Sequence, residues 1–275
     1  MGAAQEKIIT FLLLSMMMAP VYAGAACRVL VVVGMDDERA IAAGQTSQEQ
    51  VEIITGSANA ALLRERLAAV NPDNLRAVFS FGVAGGLDPA LQPGDLLMAE
   101  QVLMILPDEG QGASEILWPT DSNMLMAATL SAARSENIKL RKGLFLGTDT
   151  EARDQAPLAE SSLRATSGAH IIDNESHIAA QYASEKGLPF AAIRSVSDRV
   201  DTPLPPAALL PLEADGSPDG MAITKSLLLH PLQIPAFIRT AYYYKQALDS
   251  LEQFHSLISF ESLAAASNSG CRSAR

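Results

Sequence analysis

The chain has 275 residues, 48 % of them hydrophobic and 19 % charged, enough apolar side chain to exclude disorder and to fill a sizeable core. Its 20 lysines and arginines against 31 acids leave a net charge of −11, which argues against a nucleic-acid partner, because phosphate contact needs a basic face. That charge is uneven: residues 1–220 carry 15 basic and 28 acidic side chains (−13), residues 221–275 carry 5 and 3 (+2), and no acid lies between Asp219 and Asp249.

Residues 1–26 form an apolar leader, in which Lys7 precedes a run from Ile8 to Val21 and small residues follow at Ala23-Gly24-Ala25-Ala26. Two readings stand: an export signal, or a translation start at Met16, Met17 or Met18. The run is too short and interrupted for a membrane span, and a cytoplasmic location is expected. The two cysteines, Cys27 and Cys271, sit near opposite ends with no metal spacing, and reduced thiols are expected.

Strands are predicted at Val29–Val33, Val51–Thr55, Ala77–Phe81, Leu96–Leu103, Gly143–Leu146, His170–Ile172 and Phe190–Val196, all continuous apolar runs of the kind covered on both faces. Helical segments alternate with them. One is capped by Ser57 and runs through Ala69, one opens at Asp121 or Ser122 and runs to Asn137, one runs from Pro157 to about Ser167, and one from Glu175 to Lys186, closed by Gly187. This alternation predicts an α/β fold, a three-layer α/β sandwich with a central mixed sheet, over residues 27–201. Pro203, Pro205, Pro206, Pro211 and Pro218 then impose a long loop, followed by apolar C-terminal helices over 221–229 and 232–257, so that residues 202–263 pack on the same domain. A disordered tail is expected over residues 264–275.

Four motifs stand at strand ends. After the first strand comes Gly34-Met35-Asp36-Asp37-Glu38, where acids favour a helix start and one carboxylate facing the sheet edge could activate a water. Gly82-Val83-Ala84-Gly85-Gly86 reads as a sharp turn that brings backbone N–H groups to a ligand, although it fits neither a dinucleotide nor a P-loop pattern. Asp173-Asn174-Glu175-Ser176 joins a strand to a helix and suits a carboxylate gripping vicinal sugar hydroxyls, or a plain helix cap. Arg194-Ser195-Val196-Ser197-Asp198 ends a buried strand with an acid able to serve as a general acid, or with a turn-forming Asp.

Taken in order, Gly-Met-x-x-Glu, Gly-x-Ala-Gly-Gly-Leu, Asp-x-Glu-Ser and Ser-x-Ser-Asp resemble the nucleoside phosphorylase/nucleosidase superfamily from Arg28 to Asp201. The segment Pro203–Gly216 and the helices carrying Pro231 and Pro235 resemble its hopanoid-associated phosphorylase branch. The resemblance implies that Asp198 engages purine N7 and that Glu175, with Asn174 beside it, binds the ribose hydroxyls. It implies further that Glu38 activates water or orders the ribose, that Val83, Ala84 and Gly85 border the phosphate or water pocket, and that Asp149 lies in the segment lining the base pocket. Two departures show: Asn174 replaces a methionine under the sugar, and Val83 stands where a hydroxyl donor is common, with no Arg in the Gly-rich segment. A phosphate dianion needs several donors, so hydrolysis is as open as phosphorolysis.

The implied function is cleavage of a purine N-glycosidic bond, release of adenine from adenosylhopane in hopanoid side-chain synthesis, with phosphate or water as acceptor. The alternatives are a nucleosidase for soluble thioether nucleosides of the methylthioadenosine or S-adenosylhomocysteine type, and a non-catalytic exported or anchored nucleoside-binding protein. No cofactor or metal is expected; His170, His177, His230 and His255 have no metal spacing. The implied partners are a lipid-linked nucleoside and phosphate or water. A homo-oligomer is implied, and peripheral contact with the inner membrane is expected from Lys225, Arg239 and Lys245 among apolar residues.

Overall fold

In a computed structural model of the protein, residues 27–44, 46, 49–106, 114–136, 138–149 and 167–267 are described. The elements are β1 (Arg28–Val33), α1 (Asp36–Gly44), β2 (Val51–Thr55), α2 (Ala60–Ala68), β3 (Leu75–Gly86), β4 (Leu96–Leu106), β5 (Ser114–Pro119), α3 (Ser122–Ala132), β6 (Leu140–Gly147), β7 (Ile171–Asp173), α4 (Ser176–Lys186), β8 (Phe190–Asp198), α5 (Gly220–Leu229), α6 (Ile234–Leu257) and α7 (Phe260–Ala266). The helix expected from Pro157 lies outside the described residues, save for Ser167 at its end.

The strands form one mixed sheet in the order β2-β1-β3-β7-β6-β4-β5, with β8 paired to both β3 and β4. β8 therefore closes β3, β7, β6 and β4 into a ring, a barrel-like end to an otherwise open sheet. Side chains alternate across β1. Leu30 and Val32 join Leu63 and Leu67 of α2 and Ile178, Ala179 and Tyr182 of α4 on one face. Val29, Val31 and Val33 join Met124 and Ala128 of α3, Leu251 and Phe254 of α6, and Phe260 and Leu263 of α7 on the other. Helices thus cover both sides of the sheet, as the alternation of apolar strands and helices predicts.

Three expectations are corrected. The Gly-rich segment is not a turn: β3 continues through Gly86, paired to β7 on one edge and β8 on the other. Two-sided ladder bonding holds in the sheet a sequence whose local propensity favours a bend. Helix α2 is capped by Asn59, whose side chain accepts from Leu62 N, rather than by Ser57. Cys27, at the head of β1, is disulfide-bonded rather than a free thiol; the chain's other cysteine, Cys271, lies outside the described residues.

The C-terminal helices divide in use. The second half of α6 and all of α7 pack on the sheet through Ala247, Leu251, Phe254, Phe260 and Leu263. Helix α5 has no buried residue. Gln233 fixes the bend between α5 and α6: its amide donates to Ser226 O (3.0 Å), and its carbonyl accepts from Ala207 N (2.9 Å) in the Pro-rich loop. No single helix among the described residues is long and apolar enough to cross a membrane.

Candidate active site

The carboxyl ends of β1, β3, β7 and β8 meet at one cavity, lined by Gly34, Met35, Glu38, Ala58, Val83, Ala84, Gly85, Ile172, Asp173, Asn174, Glu175, Asp198, Leu204 and Leu212. The register explains the convergence. Gly85 stands opposite Ile172 of β7 and, after a shift between Ala84 and Gly85, opposite Asp198 of β8. The irregularity turns Asp198 toward the cavity, where a Cβ on Gly85 would lie 3.2 Å from its Oδ2. The Ser197 hydroxyl donates to Asp198 Oδ1 at 2.7 Å and fixes the carboxylate's orientation.

Glu38 is buried at the first turns of α1, yet its carboxylate reaches back across the sheet edge. Oε2 accepts from Gly34 N (2.6 Å) and Met35 N (3.0 Å), and Oε1 accepts from Val83 N (2.7 Å). The hydroxyl that Val83 lacks is thus replaced by a backbone donor aimed at a side chain. Burial pushes the Glu38 carboxyl up, against the opposing pull of Arg194 and the three N–H groups. Gly82 makes this position reachable, because a Cβ there would overlap the Glu38 carboxylate.

Glu175 sits at the N-terminus of α4 but makes no side-chain cap bond. Capping falls to Asp173, whose Oδ1 accepts from Glu175 N (2.9 Å) and Ser176 N (2.6 Å). The Glu175 side chain is therefore left for the cavity, and the plain-cap reading is set aside. Behind it lies Arg194, fully buried on β8, which donates through Nη2 to Ser80 Oγ (2.7 Å), Asp173 Oδ1 (3.2 Å) and Glu175 Oε2 (3.4 Å). Burial, with Asp173 and Glu38 nearby, outweighs this arginine and pushes the Glu175 carboxyl up to about 8. Asn174 lines the cavity, its Oδ1 accepting from Thr148 Oγ1 at 3.3 Å.

Seven of the eight positions singled out in the sequence, namely Glu38, Val83, Ala84, Gly85, Asn174, Glu175 and Asp198, line this cavity. Asp149 is not among the lining residues. Its carboxylate pairs with the fully buried His177 (Nε2 to Oδ1, 2.8 Å) and with Arg64 (3.1 and 3.2 Å), which lower its pKa from the ordinary value.

Sequence reasoning left out Arg194, Ser197, Ala58, Leu204 and Leu212 as site residues. Ala58, with Ser57, adopts a left-handed backbone (φ 50° and 56°), a conformation that neither residue type advertises. Leu204 and Leu212 arrive from the Pro-rich loop, which carries no regular pattern from which to read a direction.

Comparison with known proteins supplies a family context. The sequence pattern of the Phosphorylase superfamily matches residues 20–219. The 5'-methylthioadenosine/S-adenosylhomocysteine nucleosidase of Halalkalibacterium halodurans is 32 % identical over 129 residues, 44 % of this chain and 55 % of that protein. Its counterpart from Anoxybacillus flavithermus is 28 % identical over 155 residues, 52 % of this chain and 64 % of that protein. The match thus spans between half and two thirds of each relative's length. Among solved structures, the Helicobacter pylori 5'-methylthioadenosine/S-adenosylhomocysteine nucleosidase superposes with a TM-score of 0.56 at 15 % identity, covering 86 % of this chain and all of that one. Futalosine hydrolase of Helicobacter pylori gives 0.53 at 15 % identity, covering 82 % and 98 %. At such identities the likeness is one of fold.

Proposed function

Because this chain belongs to the Phosphorylase superfamily, we propose that it cleaves the N-glycosidic bond of an adenine nucleoside with water as acceptor. One observation carries the choice of water: among the described residues, the cavity is lined by four carboxyl groups, Glu38, Asp173, Glu175 and Asp198, and by no Lys, Arg or His. Arg194 does not change this, since its reach is taken up by Asp173 and Glu175. A phosphate dianion would find no cationic clamp among these residues, whereas a neutral water meets acceptors for its protons.

The atoms balance without any other reactant. Protonated Asp198 donates to N7 of the purine, the C1′–N9 bond breaks, and its electron pair leaves with the base as neutral adenine. The cationic sugar that develops is stabilised by the surrounding carboxylates. Water attacks C1′, its proton passes to Glu38, and solvent returns that proton to Asp198. Glu175 accepts from the 2′- and 3′-hydroxyls and fixes the sugar between the two reacting groups.

The naming of the relatives supports a 5′-thioether adenosine as the substrate. A second reading, a lipid-linked nucleoside such as adenosylhopane, is favoured by one feature. Beyond Ala58 and Leu212, which line the cavity, a second hollow follows, lined by Leu62, Leu209, Leu210 and Pro211. That surface suits a long apolar 5′ group. Adenine release followed by chromatography, with methylthioadenosine against adenosylhopane, separates the readings, and Glu38→Gln is expected to lose turnover on either. No adenine from any nucleoside would leave a binding protein as the remaining reading.

A further inference from the structure

The bent helical pair α5–α6 presents apolar side chains outward along one continuous stripe. On α5 these are Met221 (82 % exposed), Leu228 (77 %) and Leu229, and Leu232 (96 %) stands at the bend. On α6 they continue at helical spacing through Ile234, Ile238 (63 %) and Tyr242 (60 %). Scattered exposed leucines are ordinary, but a contiguous run of this kind marks a contact surface. It is also not slack, since Gln233 ties the bend to both Ser226 and the Pro-rich loop.

Charge identifies what the stripe meets. Lys225 and Arg239 are exposed beside it and have no ion-pair partner among the described residues, and no acid occurs between Asp219 and Asp249, although the rest of the protein is strongly acidic. Pairing of the stripe with the same stripe of a second copy would offer these cations no acid, since none occurs between Asp219 and Asp249. An anionic lipid surface instead satisfies both features, taking the apolar residues into the acyl boundary and the cations at its headgroups, with Tyr242 at the level where amphipathic rings reside. The two helices meet at a bend of 108°.

We propose that α5 and the first half of α6 form a foot that docks the protein peripherally on an anionic membrane, its apolar stripe inserted and Lys225 and Arg239 at the headgroups. This stands apart from the proposed reaction, which a soluble nucleoside can report independently.

Co-sedimentation of the full chain with vesicles tests it. The protein is expected in the pellet with equimolar phosphatidylglycerol and phosphatidylcholine, and largely in the supernatant with phosphatidylcholine alone. Leu228→Glu/Leu232→Glu should abolish binding without moving the thermal melt, because neither side chain packs in the core. Lys225→Gln/Arg239→Gln should weaken anionic binding by about fivefold for each charge removed, and raised salt should do the same to the parent protein. Three results would overturn the foot: a parent protein that ignores anionic vesicles, binding unaffected by the double glutamate variant, or a vesicle-free dimer that Leu232→Glu converts to monomer, which would make the stripe an interface between copies.

Discussion

Asp198, Glu38 and Glu175 are all acids at strand ends, yet their surroundings give them different tasks. Ser197 orients Asp198, three backbone N–H groups hold Glu38, and burial, with Asp173 and Glu38 nearby, keeps a proton on Glu175 up to about pH 8. Asp198→Asn should reduce adenine release by roughly 10²- to 10⁴-fold with the fold intact, the range for a lost general acid. Gly82→Ala should cost about 10²-fold, because the new Cβ displaces Glu38 from its donors. Glu175 also has a stability signature. The unfolded chain releases this proton near the ordinary value of 4.5 and the folded, empty site holds it to about 8. Between these values the folded protein carries the extra proton, so its stability falls as pH rises. Thermal melts across that window should slope downward for the parent protein and flatten for Glu175→Gln; parallel slopes would place the proton elsewhere. Glu38, Glu175 and Asp198 were legible because short motifs mark the ends of buried strands. Arg194 was not, since inside an apolar strand it looks like any residue whose side chain finds solvent, and only the fold shows it fully buried among Ser80, Asp173 and Glu175.

At the scale of elements, α6 shows how one helix serves two environments. Its last turns bury Leu251 and Phe254 against the sheet, while Ile238 and Tyr242 near its start face outward. Leu251→Ala should lower stability by about 2–5 kcal/mol, as cavities in packed cores do, and Ile238→Ala by less than about 0.5 kcal/mol; denaturant midpoints measure both. Hydropathy alone predicts both halves as apolar helix and cannot assign them, because exposure is decided by where the sheet stops. β3 teaches the same lesson in reverse. Glycines 82, 85 and 86 favour a turn locally, but pairing of Gly82 with β8, of Gly86 with β7 and of Gly85 with both carries the strand on to the site. The continuous apolar strands themselves were readable, since burial on both faces leaves no polar alternation to confuse them. β5 was not, as it pairs with β4 alone at the sheet's edge.

Across the whole molecule, the split in charge follows the split in structure. The acidic part forms the sheet and the cavity with its four carboxylates, and the acid-free part begins where α5 leaves the core. The alternation of strands and helices was enough to predict helices on both faces of a mixed sheet. The ring closed by β8 was hidden, because it depends on pairings between strands far apart in sequence. It is this closure that sets Asp198 beside Gly85 and makes one site from four separate motifs. Water rather than phosphate as the acceptor is the centre of the proposed chemistry. The most direct measurement is the identity of the sugar released from methylthioadenosine, with and without inorganic phosphate. Hydrolysis predicts adenine and the free reducing sugar at the same rate in both buffers. A sugar 1-phosphate, or adenine release that depends on phosphate, would contradict it.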